Sequence, residues 1–333
     1  MKRQLIHKFE DIISVENLLD AWREFVVGKR SKPDVQAFAL HLMDNILQLH
    51  TELANGTYRH GGYEEFHIAD PKPRLIHKAS VRDRLLHHAV YRMLYPFFDR
   101  TFIADSYSCR LDKGTHKALQ RFQAVSRKVS KNDTKACWVL QCDIKKFFAS
   151  INQPILLGIL SKYIADQRII ALLRNIIESF FMSAGTGLPL GNLTSQLLVN
   201  VYMNEFDQFV KHKLKAKYYM RYADDFVFVS ANHGWLEGLI PQIREYFEQK
   251  LRLTLHPNKV SIKTLASGID FLGWVHFPTH RVLRMTTKRG MIRKVAEHAT
   301  NETLQSYLGL LKHGNTYKTQ EALLNQYWIS RRN

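Results

Sequence analysis

Acidic side chains are scarce in this chain. Among 333 residues, 30 Asp and Glu stand against 48 Lys and Arg, a formal net charge of +18. A basic surplus of that size suits a polyanionic partner, because each phosphate neutralised releases condensed counterions. Cysteine is scarcer still: Cys109, Cys137 and Cys142 are the full set. Their spacing matches no metal-ligand pattern, and an odd number leaves one unpaired, so a reducing compartment is expected. No apolar run approaches the roughly 18 residues of a membrane span. Met1-Lys2-Arg3-Gln4 is not followed by a secretory core, and a cytoplasmic location is the expectation. Internal repeats and low-complexity stretches are also absent. The 45% of apolar residues is enough for a substantial core, and the length suits one multi-lobed chain rather than a string of domains.

What the sequence does have is a set of carboxylates in unusual places. Tyr222-Ala223-Asp224-Asp225 lies between the apolar arms Tyr218-Tyr219-Met220 and Phe226-Val227-Phe228-Val229. Two β-prone arms around a short turn predict a hairpin with the acidic pair at its tip. Adjacent carboxylates repel, and a bound cation would relieve that cost. Upstream, the β-prone run Cys137–Cys142 delivers Asp143 at its end, where a helix cap is the alternative role. Two such strands in one sheet would bring Asp143 beside Asp224 and Asp225. A cluster of this kind suits two divalent cations about 3.5–4 Å apart, poised for in-line attack on a phosphate. Magnesium, which favours carboxylate and phosphate oxygens, is the expected metal, with manganese a substitute.

With these residues in view, the chain resembles reverse transcriptases of the prokaryotic type, from about Lys72 to about Arg284. Asp143 matches that family's first catalytic motif, and Tyr222 to Asp225 match its Tyr-x-Asp-Asp box. Gly187-Leu188-Pro189-Leu190-Gly191-Asn192-Leu193-Thr194-Ser195-Gln196 resembles the motif that supports the templating base and incoming nucleotide. Leu255-His256-Pro257-Asn258-Lys259 resembles the lysine motif, and Phe271-Leu272-Gly273-Trp274 resembles the primer grip. The resemblance implies an α+β, right-hand polymerase fold: fingers, a palm with an antiparallel sheet, and a small helical thumb. It implies catalysis and metal binding by Asp143, Asp224 and Asp225. Nucleotide contacts are implied for Arg74, Lys78, Arg84, Phe148, Gly191, Gln196 and Lys259, and a primer grip at Phe271, Leu272 and Gly273. Arg110 and Lys113 match a second finger motif. Phe148 falls where a ring beneath the sugar would exclude a 2′-hydroxyl, so the expected product is DNA. Lys259 is placed to protonate pyrophosphate, with a plain loop lysine as the alternative.

Physical sense attaches to several of these residues independently. Gly187, Pro189 and Gly191 punctuate a loop leading into an apolar helix expected from about Leu193 to Lys213, with Thr194 or Asn192 as its cap. Arginine suits bidentate phosphate contacts and lysine supplies a point charge.

The chain divides into a helical extension at residues 1–60, fingers and palm at 61–280, and a basic helical thumb at 281–333. Within the extension, Val35, Phe38, Leu42, Ile46 and Leu49 predict one helix after Pro33, and Glu16 to Val27 a shorter one. Pro71-Lys72-Pro73-Arg74 opens an expected finger strand. The segment from Arg82 starts a helix burying Ala89, Val90, Met93 and Leu94. Arg281, Arg284, Lys288, Arg289, Arg293 and Lys294 precede a helix marked by Leu304, Tyr307, Leu308 and Leu311, a thumb face for the duplex backbone. Neither a ribonuclease H domain nor a Cys/His endonuclease cluster is expected.

Leu190-Gly191…Ser195-Gln196 is similar to the pocket motif of diversity-generating retroelements, which copy a template RNA into cDNA with errors at adenine. Group II intron enzymes usually show Gln-Gly…Ser-Pro there. The expected partners are an RNA template, a DNA or RNA primer and dNTPs, together with a structured non-coding RNA and a small accessory protein, and no membrane. A defence-associated reverse transcriptase, an RNA-binding maturase-like protein and a catalytically idle scaffold are the alternatives.

Overall fold

The computed structural model describes residues 3–68 and 73–332. Pro71 and Lys72 of the expected finger strand lie outside the described residues, as do Met1 and Lys2. The chain opens with α1 (Phe9–Ile13), α2 (Val15–Phe25), α3 (Pro33–Leu40) and α4 (Leu42–Ala54). Strands β1 (Tyr63–Ile68) and β2 (Arg74–Ala79) follow, then α5 (Val81–Asp99), α6 (Thr115–Val129) and β3 (Trp138–Cys142). Next come α7 (Phe147–Ser150), α8 (Gln153–Ser161), α9 (Gln167–Glu178) and α10 (Leu193–His212). Strands β4 (Tyr219–Tyr222) and β5 (Asp225–Ser230) lead into α11 (His233–Tyr246) and a π-helical turn at Phe247–Leu251. The chain closes with β6 (Ser261–Thr264), β7 (Ile269–Phe271), β8 (Trp274–His276), β9 (Arg281–Leu283), α12 (Met285–Glu297), α13 (Asn301–Leu311) and α14 (Tyr317–Arg332). Among the described residues no helix is long and apolar enough to cross a membrane.

These elements group into two units. The first comprises Met1–Ala104, Ile144–Lys215 and Ile243–Leu255; the second comprises Asp105–Asp143, Ala216–Gln242 and His256–Asn333.

In the first unit, side-chain caps set the helix starts. Ser14 accepts from Asn17 N at α2, Ser80 from Asp83 N at α5, and Asn152 from Ile155 N at α8. The single helix expected over Val35–Leu49 is two, because His41 (φ −120°, ψ 39°) breaks it between α3 and α4. Burial of Ile46 and Leu49 is retained across the break. In α5, Ala89, Val90 and Leu94 are buried as expected, while Met93 is half-buried. Strands β1 and β2 pair antiparallel from Tyr63↔Ala79 to Ile68↔Arg74. Helix α10 begins where its apolar pattern does. Asn192 stands at its N-cap position but makes no cap bond; its amide donates instead to the His77 carbonyl at 3.0 Å, tying the loop to β2.

The second unit contains the main sheet, ordered β4-β5-β3-β6 and antiparallel throughout. Phe226, Val227, Phe228 and Val229 of β5 are all buried, so this strand is covered on both faces rather than alternating in and out of water. Val139, Met220, Val227 and Val229 share a core with Ala118, Leu119 and Phe122 of α6. Burial of each such aliphatic or aromatic side chain contributes about 1.5–3 kcal/mol. A second sheet, β7-β8-β9, joins that core through Ile269, Phe271 and Trp274. Helices α12, α13 and α14 add Met291, Val295, Leu304, Leu311, Leu323 and Tyr327. Two of the six basic residues expected on a thumb face are placed differently. Arg281 belongs to β9, and Arg284 is held at the start of α12 by an ion pair to Asp270 at 2.8 Å.

Candidate active site

The β4–β5 hairpin closes with Tyr222 paired to Asp225, which leaves Ala223 and Asp224 as its two-residue turn. Asp225 therefore opens β5, and only Asp224 occupies the tip. Ala223 has φ 55°, a conformation that favours glycine, so the turn carries local strain. What holds it is Arg221, a residue the apolar pattern concealed. Arg221 is fully buried; it donates from Nη1 to the Ala223 carbonyl at 3.2 Å and from Nη2 to Ser106 Oγ at 3.1 Å. Its backbone also pairs with the 105–107 segment, through Arg221 N to Asp105 O and Tyr107 N to Arg221 O. A lone arginine inside Tyr219-Met220-Arg221-Tyr222 was the available signal, since a charge in a buried strand needs partners.

Replacing Arg221 with Met is expected to remove these charged hydrogen bonds at about 1.5–3 kcal/mol each. The urea midpoint should fall and primer extension should drop with it. Arg221→Lys should not recover either, because one ammonium cannot span both acceptors. Wild-type values for the Lys variant would refute the two-pronged role.

Strand β3 pairs with β5 from Trp138↔Ser230 to Cys142↔Phe226, and this register delivers Asp143 beside the start of β5. Asp225 and Asp143 share a side-chain hydrogen bond. Burial first, then the charges of Asp224 and Asp143, push the Asp225 carboxyl up to about 7, against the opposing pull of Lys259. Lys259 Nζ donates to Asp143 Oδ2 at 2.9 Å, and the backbone of His256 donates to the Asp143 carbonyl at 2.8 Å. The three carboxylates and Lys259 thus lie together within the second unit.

The donor set fits a divalent cation. Crowded carboxylates that drive one of their number toward protonation are short of positive charge, and hard oxygens suit magnesium. Among the described residues, no three or more His, Cys, Asp or Glu side chains form a ready-made metal cage. Lys259 is a cation bonded to the cluster, through Asp143.

Phe271, Leu272 and Gly273 also lie in the second unit, on the β7–β8 hairpin. Leu272 (φ 52°) and Gly273 (φ 85°) form a two-residue turn with both φ positive, the turn that matches strand twist. Phe271 is buried against Phe122 at 5.4 Å. Arg110 donates to the Ser106 carbonyl at 3.0 Å, and Lys113 lies over the Tyr107 ring.

The remaining expected nucleotide contacts lie in the first unit. Phe147 is buried, whereas Phe148 is half-buried and its carbonyl accepts from Leu188 N at 2.9 Å. Gly191 has φ 111°, and a Cβ there would stand 2.7 Å from Ile76 Cγ2. Packing against β2 thus accounts for this glycine without a ligand. Gln196 is half-buried in the first turn of α10. Arg74 is exposed at the start of β2. Lys78 is held by Asp34 at 3.0 Å and Glu64 at 3.1 Å, and Arg84 by Asp34 at 2.6 Å. A triphosphate would compete with Asp34 for both cations.

The chain is similar to known proteins in sequence and in fold. The family described as "Reverse transcriptase (RNA-dependent DNA polymerase)" matches residues 69–276. Protein YkfC of Escherichia coli (strain K12) is 25% identical over 288 residues, covering 74% of each chain. The group II intron-encoded protein LtrA of Lactococcus lactis subsp. cremoris is 26% identical over 184 residues, 53% of this chain but 29% of that protein. In fold, the chain is similar to apo telomerase from Candida tropicalis truncated from the C-terminal domain. That match has a TM-score of 0.50 and 13% identity, over 73% of this chain and 60% of the other.

Proposed function

Because the chain belongs to the reverse transcriptase (RNA-dependent DNA polymerase) family, we propose that it makes cDNA from a specific RNA template, with Asp143, Asp224 and Asp225 as its catalytic carboxylates. The observation that carries this reading is the crowding of Asp225 against Asp143 and Asp224 beside Lys259. Two magnesium ions held by these carboxylates would lower the pKa of the attacking 3′-hydroxyl and neutralise the leaving pyrophosphate. Once a triphosphate draws Lys259 away from Asp143, its ammonium can pass a proton to the departing pyrophosphate. The half-buried Phe148 ring supports the sugar gate, and Leu272 with Gly273 form the turn that would bear on the primer terminus. The extension at 1–60, fingers and palm at 61–280 and thumb at 281–333 complete the assignment, with a cytoplasmic location.

Phe148→Ala is expected to let ribonucleotides enter the product. The ratio of ribonucleotide to deoxynucleotide efficiency should rise about tenfold or more. An unchanged ratio would make Phe148 a packing residue and put the gate elsewhere.

For the biological role we favour a diversity-generating retroelement, on the motif Leu190-Gly191…Ser195-Gln196. A Gln amide both donates and accepts, so it can perturb how the template base is held. The parent enzyme is expected to misincorporate most opposite template adenine, and Gln196→Pro to reduce that bias. Selection differences of about 1–3 kcal/mol shift error rates 10–200-fold. Sequencing cDNA made on a mixed-sequence RNA decides the matter: an even error spectrum in the parent would favour a defence-type enzyme. The likeness to an intron-encoded protein supports a second, maturase-like reading, which predicts tight binding to one structured RNA without synthesis.

A further inference from the structure

In the second unit, a cavity of about 10 Å³ lies among Phe122, Ser126, His276, Phe277, His280 and Arg281. That is the room one water molecule's centre requires. Three of its lining residues carry a buried polar atom with no hydrogen-bond partner among the described residues: Ser126 Oγ, His276 Nε2 and Arg281 Nη1. Ser126 is 2% exposed and His276 4%. Buried polar groups in folded proteins are nearly always bonded, so three unmet atoms on one cavity point to a ligand within it.

The chemistry of the lining selects that ligand. His276 has a hydrogen bond with the Phe271 backbone that favours the protonated ring, so a ring N–H donates to that carbonyl. Since Nε2 is the unpartnered nitrogen, the donor is Nδ1. Burial and the nearby Arg281 charge hold the ring neutral, lowering its pKa to about 4. Nε2 is then a bare acceptor. Ser126 Oγ–H and Arg281 Nη1–H are donors. A water molecule accepts from the two donors and gives a hydrogen to Nε2. A halide would meet the Nε2 lone pair.

We propose that this cavity is a binding site for one ordered water molecule, which ties α6 to the β7–β8 hairpin. Arg281 extends the tie further. Its Nε donates to the His313 carbonyl before α14, and its guanidinium lies over Trp274 at 5.4 Å. Three parts of the unit therefore meet at one guanidinium and one water. The functional consequence, that the water positions Phe271–Gly273 for the primer, rests on the primer-grip reading above.

The test is a crystal structure of the full chain, at a resolution that shows waters, with a bromide-soaked companion. A single peak within hydrogen-bonding reach of Ser126 Oγ, His276 Nε2 and Arg281 Nη1, without anomalous signal, is the expected result. A bromide signal at that point, or no density, overturns the site. Ser126→Val should displace the peak and raise the KM for primer about three- to tenfold with kcat nearly unchanged. A displaced peak with unchanged primer KM would overturn the positioning role while leaving the water site standing. Should Ser126→Val misfold, Ser126→Ala removes the hydroxyl without adding volume and should weaken the same peak; a peak at full occupancy overturns the bonding scheme.

Discussion

Asp224→Asn is expected to cut primer extension on the order of 10³-fold while RNA affinity stays within about twofold. The asymmetry follows from where the charges are. Asp224 lies in the hairpin turn next to Asp225, and its charge is among the forces raising the Asp225 carboxyl. Removing it deprives the divalent cations of a ligand, and a cation contributes several kcal/mol at the transition state. RNA affinity depends on the distributed excess of Lys and Arg, whose counterion release one carboxamide barely alters. Losing a negative charge would tighten binding if it changed it at all. Primer extension close to the parent rate in the purified variant would sink the assignment of the carboxylates.

Gly314→Ala should also have a large effect, on a residue far along the chain from any motif. A Cβ on Gly314 would stand 2.1 Å from Cζ3 of Trp274 and 2.9 Å from Cε3 and Cη2. Trp274 is 2% exposed and follows Gly273 directly, so it has no free direction in which to yield. The turn is fixed as well. His313 packs on His116 with ring centroids 3.8 Å apart, Asn315 N donates to the Arg281 carbonyl at 2.9 Å, and Thr316 Oγ1 to the Leu311 carbonyl at 2.5 Å. Overpacking of this kind typically costs about 1–3 kcal/mol. The melting temperature should fall, and the KM for primer should rise as the β7–β8 hairpin is displaced. Adding Trp274→Phe should restore part of both, a coupling that a double-mutant cycle measures directly. Additive losses would mean that the two residues do not meet.

The parts of this molecule that were legible in its sequence are those whose causes are local. The β4–β5 hairpin, the strand ending at Asp143 and the helix of Leu193–His212 each announce themselves through periodicity, β-branched residues or a glycine-rich lead. Short strands such as β7, β8 and β9, with three residues each, carry too little pattern to be read and exist because they pair with one another. Long-range partners decided the rest. Asp34 captures Lys78 and Arg84 from 44 and 50 positions away, Ile76 sets the demand for glycine at 191, and Ser106 with Ala223 makes Arg221 tolerable in a buried strand. No window of the sequence contains both members of any of these relationships except Arg221 and Ala223, where the apolar run drew attention away from the charge.

The segmentation of the two units bears on how the chain can be made. The chain passes from one unit to the other five times, after Ala104, Asp143, Lys215, Gln242 and Leu255. A ribosome releasing it from the N-terminus cannot let the first unit close until Leu255 has emerged, and the second needs the helices that come last. Two of the five passages adjoin the carboxylate cluster: Asp143 precedes one, and His256, which bonds the Asp143 carbonyl, follows another. The nascent chain must therefore carry apolar strands such as Phe226–Val229 partly unsatisfied until the helices that share their core, with Leu304, Leu311 and Leu323, have emerged, an interval in which aggregation competes with folding. Slow elongation, low temperature or a holding chaperone should raise the yield of active protein more than any change at the surface.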